Sequence, residues 1–166
     1  RDLHSFPTRR SSDLWSLMRL IEQKKIEYKS HCYIGTGAVS GIEVAEVLNQ
    51  NPERTFKTLV TEGKSKEHYV FIIPVAEELD IKKAAKAAGE KSISMIKQKE
   101  LLPLTGYVHG GCSPIGMKKN FMTFLHCTAG EYETIMFSAG KIGYQIEMSP
   151  EGLSDMINYK LADVIV

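Results

Sequence analysis

The sequence predicts a single domain with a mixed α/β (α+β) fold. Its 166 residues fit one domain and suffice to bury a core without disulfides or a structural metal. Hydrophobic residues make up 43% of the chain and charged residues 25%, as in ordinary soluble proteins. Strand and helix patterns intermix without the strict alternation of a doubly wound sheet, which favours a mixed sheet flanked by helices.

Helices are predicted where apolar residues recur every three or four positions and where suitable capping residues stand at the ends. Ser40 and Glu43 form a capping box, and Asp80 and Gly89 bound a helix with one alanine-rich face. The predicted helices begin after Trp15, after Ser40, after Asp80, near Lys97 and at Pro150.

Strands are predicted where apolar and β-branched residues form short runs between turn residues. A charged turn at 62–68 joins two of them into a pair. The predicted strands are 27–33, 56–61, 69–74, 123–127, 134–138, 144–148 and 162–166.

The predicted domain covers residues 15–166. Residues 1–14 show neither a helical nor a strand period, so we interpret them as translated sequencing-adapter sequence or a disordered tail. The alternative for this segment is a genuine basic arm.

Charge and cysteine usage limit the classes of function. The formal net charge is +1, so contact with a nucleic acid would depend on local lysine clusters. Cys32, Cys112 and Cys127 lack the spacing of a zinc ribbon or a disulfide framework, which suits a reducing cytosol. With no apolar run near the roughly 18–20 residues of a membrane span and no signal-peptide pattern, we expect a cytoplasmic protein.

The glycine-rich segment 109–116 is the most unusual motif. Gly110, Gly111 and Gly116 let the main chain approach a ligand, and successive N–H groups there can bind an anion. A tight connection between strands explains the segment equally well. It is not a P-loop, because Met117 rather than lysine follows Gly116.

Lysines suggest two further sites. Lys57 lies inside an apolar strand pattern, where it either points to solvent or faces a cleft and holds an anion. Lys141 lies in a glycine turn at 138–143, which is explained by hairpin chemistry or by a cationic loop near a nucleic acid.

Nucleophilic and metal sites are not predicted. Ser113 lies four residues from His109 without a nucleophile elbow, and Cys112 is more simply a small buried side chain than a thiol nucleophile. The pairs at 31–32 and 126–127 each join histidine to cysteine, but adjacent side chains diverge on a strand. No metal and no cofactor is expected.

The chain from Trp15 to Ile165 resembles the YbaK/EbsC family of free-standing aminoacyl-tRNA deacylases, which is related to the editing domain of prolyl-tRNA synthetase. Ordered motifs over about 150 residues carry the resemblance. They are Phe56-Lys57-Thr58-Leu59-Val60, the segment 79–89, Thr105-Gly106-Tyr107 with 110–116, Lys118-Lys119, and 138–143 with Gln145-Ile146-Glu147.

The resemblance implies a partly barrel-like sheet and hydrolysis of the ester that joins a wrong amino acid to tRNA, with Cys-tRNA(Pro) as the usual substrate. It implies that Lys57 is the essential lysine and that the main chain of Gly110 and Gly111 stabilises the oxyanion. Tyr33, Cys112, Ser113, Pro114, Lys141 and Gln145 are the implied substrate-binding residues. The substrate's own thiol is the implied nucleophile, and prolyl-tRNA synthetase is a transient partner.

Two departures from the family affect specificity. Gln145 stands where the cysteine-specific branch carries an aspartate, and the loop 35–40 lacks an aromatic residue of the pocket wall. A deacylase for alanine or serine and a non-catalytic protein that binds tRNA or a synthetase are therefore alternative hypotheses.

Overall fold

The computed structural model describes residues 12–166 and confirms a mixed α/β domain. The helices are α1 (Ser12–Gln23), α2 (Gly41–Val47), α3 (Ile81–Ala88), α4 (Gln98–Thr105) and α5 (Pro150–Met156). The strands are β1 (Lys29–Cys32), β2 (Phe56–Gly63), β3 (His68–Pro74), β4 (Ile93–Met95), β5 (Met122–His126), β6 (Ile135–Ser138), β7 (Tyr144–Met148) and β8 (Lys160–Ala162). Short 3-10 helices span Pro52–Arg54 and Cys127–Glu131.

Helix ends follow the predicted capping chemistry. The Ser40 side chain accepts from the Glu43 N–H, and the Glu43 carboxylate accepts from the Ser40 N–H at 2.9 Å. Asp80 caps α3, and Gly89 ends it in the left-handed region at φ 72°. Helix α1 begins at Ser12, while residues 1–11 of the segment interpreted as a tail lie outside the described residues.

Two strands differ from the prediction. Strand β4 was not predicted, because a three-residue edge strand is too short to show a period. The closing strand was predicted at 162–166 but spans Lys160–Ala162. Beyond it, Val164 is fully buried in a core cluster, and Ile165 forms an isolated bridge with Leu79 rather than extending β8.

The strands form two sheets rather than one closed barrel. A three-stranded antiparallel sheet has the order β1-β7-β6, and a five-stranded sheet has the order β4-β2-β3-β5-β8. In the larger sheet β3, β5 and β8 run parallel, while β2 is antiparallel to both neighbours. An isolated bridge between Thr55 and Met136 connects the sheets at the start of β2.

Apolar clusters cover both faces of the five-stranded sheet. Along β3, Val70 and Ile72 enter the larger cluster with α1 and the three-stranded sheet. Tyr69, Phe71 and Ile73 face the second cluster, which includes α3. This alternation explains why β3 is apolar nearly throughout. Among the described helices, none is long and apolar enough to cross a membrane.

Candidate active site

A cleft of about 270 Å³ lies beside the point where the two sheets meet. The ends of β1 and β7, the first turn of α2, the first half of β2 and the loop after α4 all contribute to its wall. Five of the predicted site residues line it together: Tyr33, Lys57, Gly110, Cys112 and Gln145. These residues are far apart in sequence, so the fold creates the cluster.

Lys57 is a cation on the wall of the cleft rather than a solvent-facing lysine. Its Nζ atom donates to the main-chain oxygen of Val75 at 3.3 Å. Burial lowers the pKa of Lys57, and the nearby charges of Glu78 and Glu77 oppose that shift. The side chain is therefore held at the cleft by a single main-chain contact, which leaves donor capacity for a ligand.

The start of α2 and the end of β1 form one side of the cleft. The capping box fixes Ser40 and Gly41 at the first turn of α2, and both residues line the cleft. Tyr33 is buried, and its main-chain N–H donates to Gly143 O at 2.8 Å. The sheet connection and the helix cap thus hold this wall in place.

The two adjacent glycines of the 109–116 loop have different roles. Gly110 has φ 88°, is exposed and lines the cleft, and within residues 12–166 no hydrogen bond involves its N–H. Gly111 instead donates its N–H to Val108 O at 3.0 Å. A Cβ atom on Gly111 would lie 3.1 Å from the Ile142 N atom, so Gly111 permits close packing against the 138–143 turn.

Cys112 lies in the wall as a neutral thiol. It is 8% exposed, and burial raises the pKa of its thiol to about 12. A thiolate is the reactive form of cysteine, so this environment disfavours nucleophilic attack by Cys112. The geometry agrees with a pocket-lining role.

Four predicted residues do not line the cleft: Gly111, Ser113, Pro114 and Lys141. Ser113 is fully buried, and its Oγ atom accepts from the Ile115 N–H at 3.2 Å, so it shapes the loop from within. Pro114 lines a separate groove of about 720 Å³. The main chain of Lys141 packs against Gly111.

The larger groove is not the better candidate for the active site. Its wall carries Lys24, Lys119 and Lys160, but it lacks Lys57, Gly110 and every other predicted site residue except Pro114. The smaller cleft is therefore the candidate active site, because a half-buried cation, a glycine main chain and the buried amide of Gln145 lie on its wall.

Sequence reasoning missed several residues of the cleft, among them Ser40, Thr58, Val75, Leu101 and His109. His109 and Ser40 belong to motifs that the sequence analysis singled out for other reasons. Thr58 belongs to the Lys57 motif but was not predicted as a site residue, and Leu101 carries no sequence signal, because only the assembled sheet and helix bring these two residues to the wall. Within the described part of the chain, no group of three or more histidine, cysteine or acidic side chains could hold a metal ion.

A model of the aminoacyl-tRNA editing domain family matches residues 37–156. The chain therefore belongs to this family. The match confirms the predicted resemblance and the predicted class of protein, an enzyme that edits aminoacyl-tRNA.

Individual proteins support the same assignment. A protein of Enterococcus faecalis, provisionally named Cys-tRNA(Pro)/Cys-tRNA(Cys) deacylase EbsC, is 45% identical over 148 residues, which cover 89% of this chain and 90% of that protein. YwhH of Bacillus subtilis, whose name gives no function, is 24% identical over 120 residues, which cover 72% of this chain and 76% of that protein.

The fold also matches a solved structure described as a provisional trans-editing enzyme for prolyl-tRNA synthetase. The TM-score is 0.83 at 18% identity, covering 96% of this chain and 99% of that one. At this identity the likeness confirms the fold.

Proposed function

We propose that this chain deacylates mischarged tRNA and that Cys-tRNA(Pro) is its substrate. The observation that carries the proposal is the cleft, because Lys57 and the exposed main chain of Gly110 both line it. The chain that contains this cleft belongs to the aminoacyl-tRNA editing domain family. The similarity to the Enterococcus faecalis protein supports the choice of cysteine and of tRNA(Pro).

The residues of the cleft suggest an electrostatic mechanism. Lys57 orients the 3′-terminal adenosine or the aminoacyl group through its positive charge. When a nucleophile adds to the ester carbonyl, the Gly110 N–H donates to the oxygen that becomes negatively charged. Collapse of the tetrahedral intermediate breaks the ester bond, and the leaving ribose oxygen takes a proton.

The substrate can supply the nucleophile. The thiol of a cysteinyl ester loses its proton and attacks its own carbonyl, which forms a thiolactone that water then opens. This route needs no protein thiolate and agrees with the buried, neutral Cys112. Hydrolysis at a second site is required chemically, because small differences in side-chain size give a synthetase only about 1–3 kcal/mol of discrimination.

Substrate delivery involves a partner in this proposal. The net charge of +1 gives the domain no strong global attraction to a polyanion. We infer that prolyl-tRNA synthetase forms a transient complex with the chain and supplies the charged tRNA. The free cysteines Cys32, Cys112 and Cys127 and the tRNA substrate support a cytoplasmic location.

The test is single-turnover deacylation by the full chain, with Cys-tRNA(Pro), Ala-tRNA(Pro) and a serine-charged tRNA as parallel substrates. We expect Cys-tRNA(Pro) to be hydrolysed fastest and Lys57→Ala to lower its rate about 100-fold or more, because the cleft loses its cation. Lys64→Ala is the matched control, since Lys64 is exposed in the turn after β2 and is expected to leave the rate unchanged. Cys112→Ser retains activity in this mechanism.

Two outcomes would favour the alternatives. Faster hydrolysis of the alanine or serine ester, shifted towards cysteine by Gln145→Asp, identifies a deacylase of different specificity. If the folded chain binds aminoacyl-tRNA but hydrolyses none of the three esters, it is a non-catalytic binding protein and the proposed function is wrong.

A further inference from the structure

Gln145 presents an unsatisfied hydrogen-bond acceptor at the cleft. The residue is 8% exposed, and its Oε1 atom is buried without a hydrogen-bond partner. Among the described residues, three buried side-chain oxygens lack a partner: Thr58 Oγ1, Thr128 Oγ1 and Gln145 Oε1. Two of these three residues, Thr58 and Gln145, line the candidate active site. A buried acceptor without a donor destabilises the free protein, so its retention in a cleft points to a ligand that supplies the donor.

The neighbours of Gln145 on the sheet are engaged elsewhere. Gln145 lies on β7 opposite His31 of β1 and Ser138 of β6. The His31 Nε2 atom contacts the Glu147 carboxylate at 2.8 Å, and the Ser138 Oγ atom accepts from the Gly140 N–H at 3.2 Å. The ladder of β7 needs only main-chain groups, so the sheet does not explain a buried amide at this position.

The amino-acid part of an aminoacyl ester has one strong donor near the reacting carbonyl. Its α-ammonium group carries three charged N–H donors, whereas a thiol is a weak donor and the ester oxygens only accept. A charged donor makes a shorter and stronger hydrogen bond to an amide oxygen than a neutral one does.

We propose, building on the function proposed above, that Gln145 Oε1 accepts a hydrogen bond from the α-amino group of the bound aminoacyl ester. Gln145 is then a specificity-determining residue that selects aminoacyl esters over acyl esters without an amine. The contact forms in the bound ground state as well as during reaction, so it acts mainly on binding.

The experiment compares cysteinyl-tRNA with 3-mercaptopropionyl-tRNA, which keeps the thiol and lacks only the α-amino group. We expect the wild-type chain to prefer the cysteinyl ester by about ten- to a hundred-fold in kcat/KM, chiefly through KM. Gln145→Met has a similar size without the acceptor and is expected to lose the preference. Its melting temperature stays the same or rises, because an unsatisfied buried oxygen has been removed.

Two further variants separate recognition from structure. Gln145→Glu keeps an acceptor at the same reach and is expected to retain the preference for the amino ester. Thr128→Val removes the unsatisfied oxygen that lies outside the cleft, so it changes stability at most and leaves the preference intact.

The outcomes distinguish this inference from the proposed function. If the wild type hydrolyses both esters equally well, or if Gln145→Met keeps the preference, the role of Gln145 is refuted while the deacylase stands. If Gln145→Met instead removes a wild-type preference for tRNA ending in adenosine over tRNA ending in 2′-deoxyadenosine, the acceptor binds the ribose hydroxyl and the inference is overturned. If neither ester is hydrolysed, the proposed function itself fails.

Discussion

At the scale of single residues, the surroundings of Lys57 determine the pKa of its ammonium group. A lysine in a strand pattern is compatible with either solvent or a cleft, and the sequence leaves both open. The structure buries the side chain in part, which lowers its pKa, while Glu78 and Glu77 partly counter the effect. The ammonium group is therefore less hydrated than on an open surface, and its charge would act more strongly on the ester in the proposed mechanism.

The lowered pKa of Lys57 predicts an alkaline limit to activity. The folded protein loses this proton at lower pH than the usual lysine value of about 10.4, so the cation disappears as pH rises through the lowered pKa. An arginine stays charged over this range. We expect the ratio of wild-type to Lys57→Arg activity, corrected for spontaneous ester hydrolysis, to fall as pH rises from neutral. Parallel pH profiles for the two proteins would contradict the role of Lys57 as the titrating cation.

At the scale of elements, the loop between α4 and β5 forms part of the cleft wall and also packs into the domain. Tyr107 is buried, and its hydroxyl donates to Ile115 O within the loop. The Lys118 N–H donates to Thr105 O at 3.0 Å and closes the base. Gly110 at the exposed tip lines the cleft, while Gly111 is buried against the next turn. Hydrogen bonds at the base of the loop therefore hold Gly110, the proposed main-chain donor, at the cleft.

Gly111→Ala tests this arrangement. The new methyl group would lie 3.1 Å from Ile142 N and 3.4 Å from the Lys141 main chain, so the loop and the turn would have to separate. We expect a loss of about 1–3 kcal/mol in the free energy of unfolding and a lower deacylation rate. Gly130→Ala is the control, because its methyl group meets no atom within 4 Å. Equal behaviour of the two variants in urea titrations and in the rate assay would disprove the packing role.

The helices and strands differ in how well the sequence predicted them. Capped helices such as α2 and α3 were predicted closely because their end signals are local. Strand β4 and the position of β8 were not, because short edge strands depend on partners that the chain meets only after folding. Lys57, Gly110 and Gln145 were predicted as site residues from motifs along the chain, whereas Thr58 and Leu101 reach the cleft only through the packing of β2 and α4.

At the scale of the whole molecule, one apolar cluster joins the two sheets. Val60 and Ile72 of the larger sheet share it with Phe137 and Ile146 of the smaller sheet. The cleft opens beside this junction, so its geometry depends on both sheets remaining packed together. We therefore expect the domain to unfold as a single cooperative unit.

Phe137→Ala tests this dependence. The ring is fully buried in the shared cluster, so its removal leaves a cavity and lowers the free energy of unfolding by about 3–5 kcal/mol. Leu161→Ala, at a side chain that is 54% exposed, changes it by about 0.5 kcal/mol or less. Urea denaturation followed by circular dichroism and by intrinsic fluorescence measures both variants. Two separate transitions would show that the sheets unfold independently.

In the proposed mechanism a main-chain group stabilises the reacting ester, while side chains of the cleft select the substrate. This difference determines how substitutions would affect the enzyme. The donor proposed for the ester oxygen is the N–H of Gly110, a main-chain group that substitutions elsewhere in the wall do not remove. Gln145 and Tyr33 belong to strands or their ends, where a codon change alters the wall without moving the sheet. We therefore expect substitutions of these wall side chains to change which ester is preferred more readily than they abolish hydrolysis.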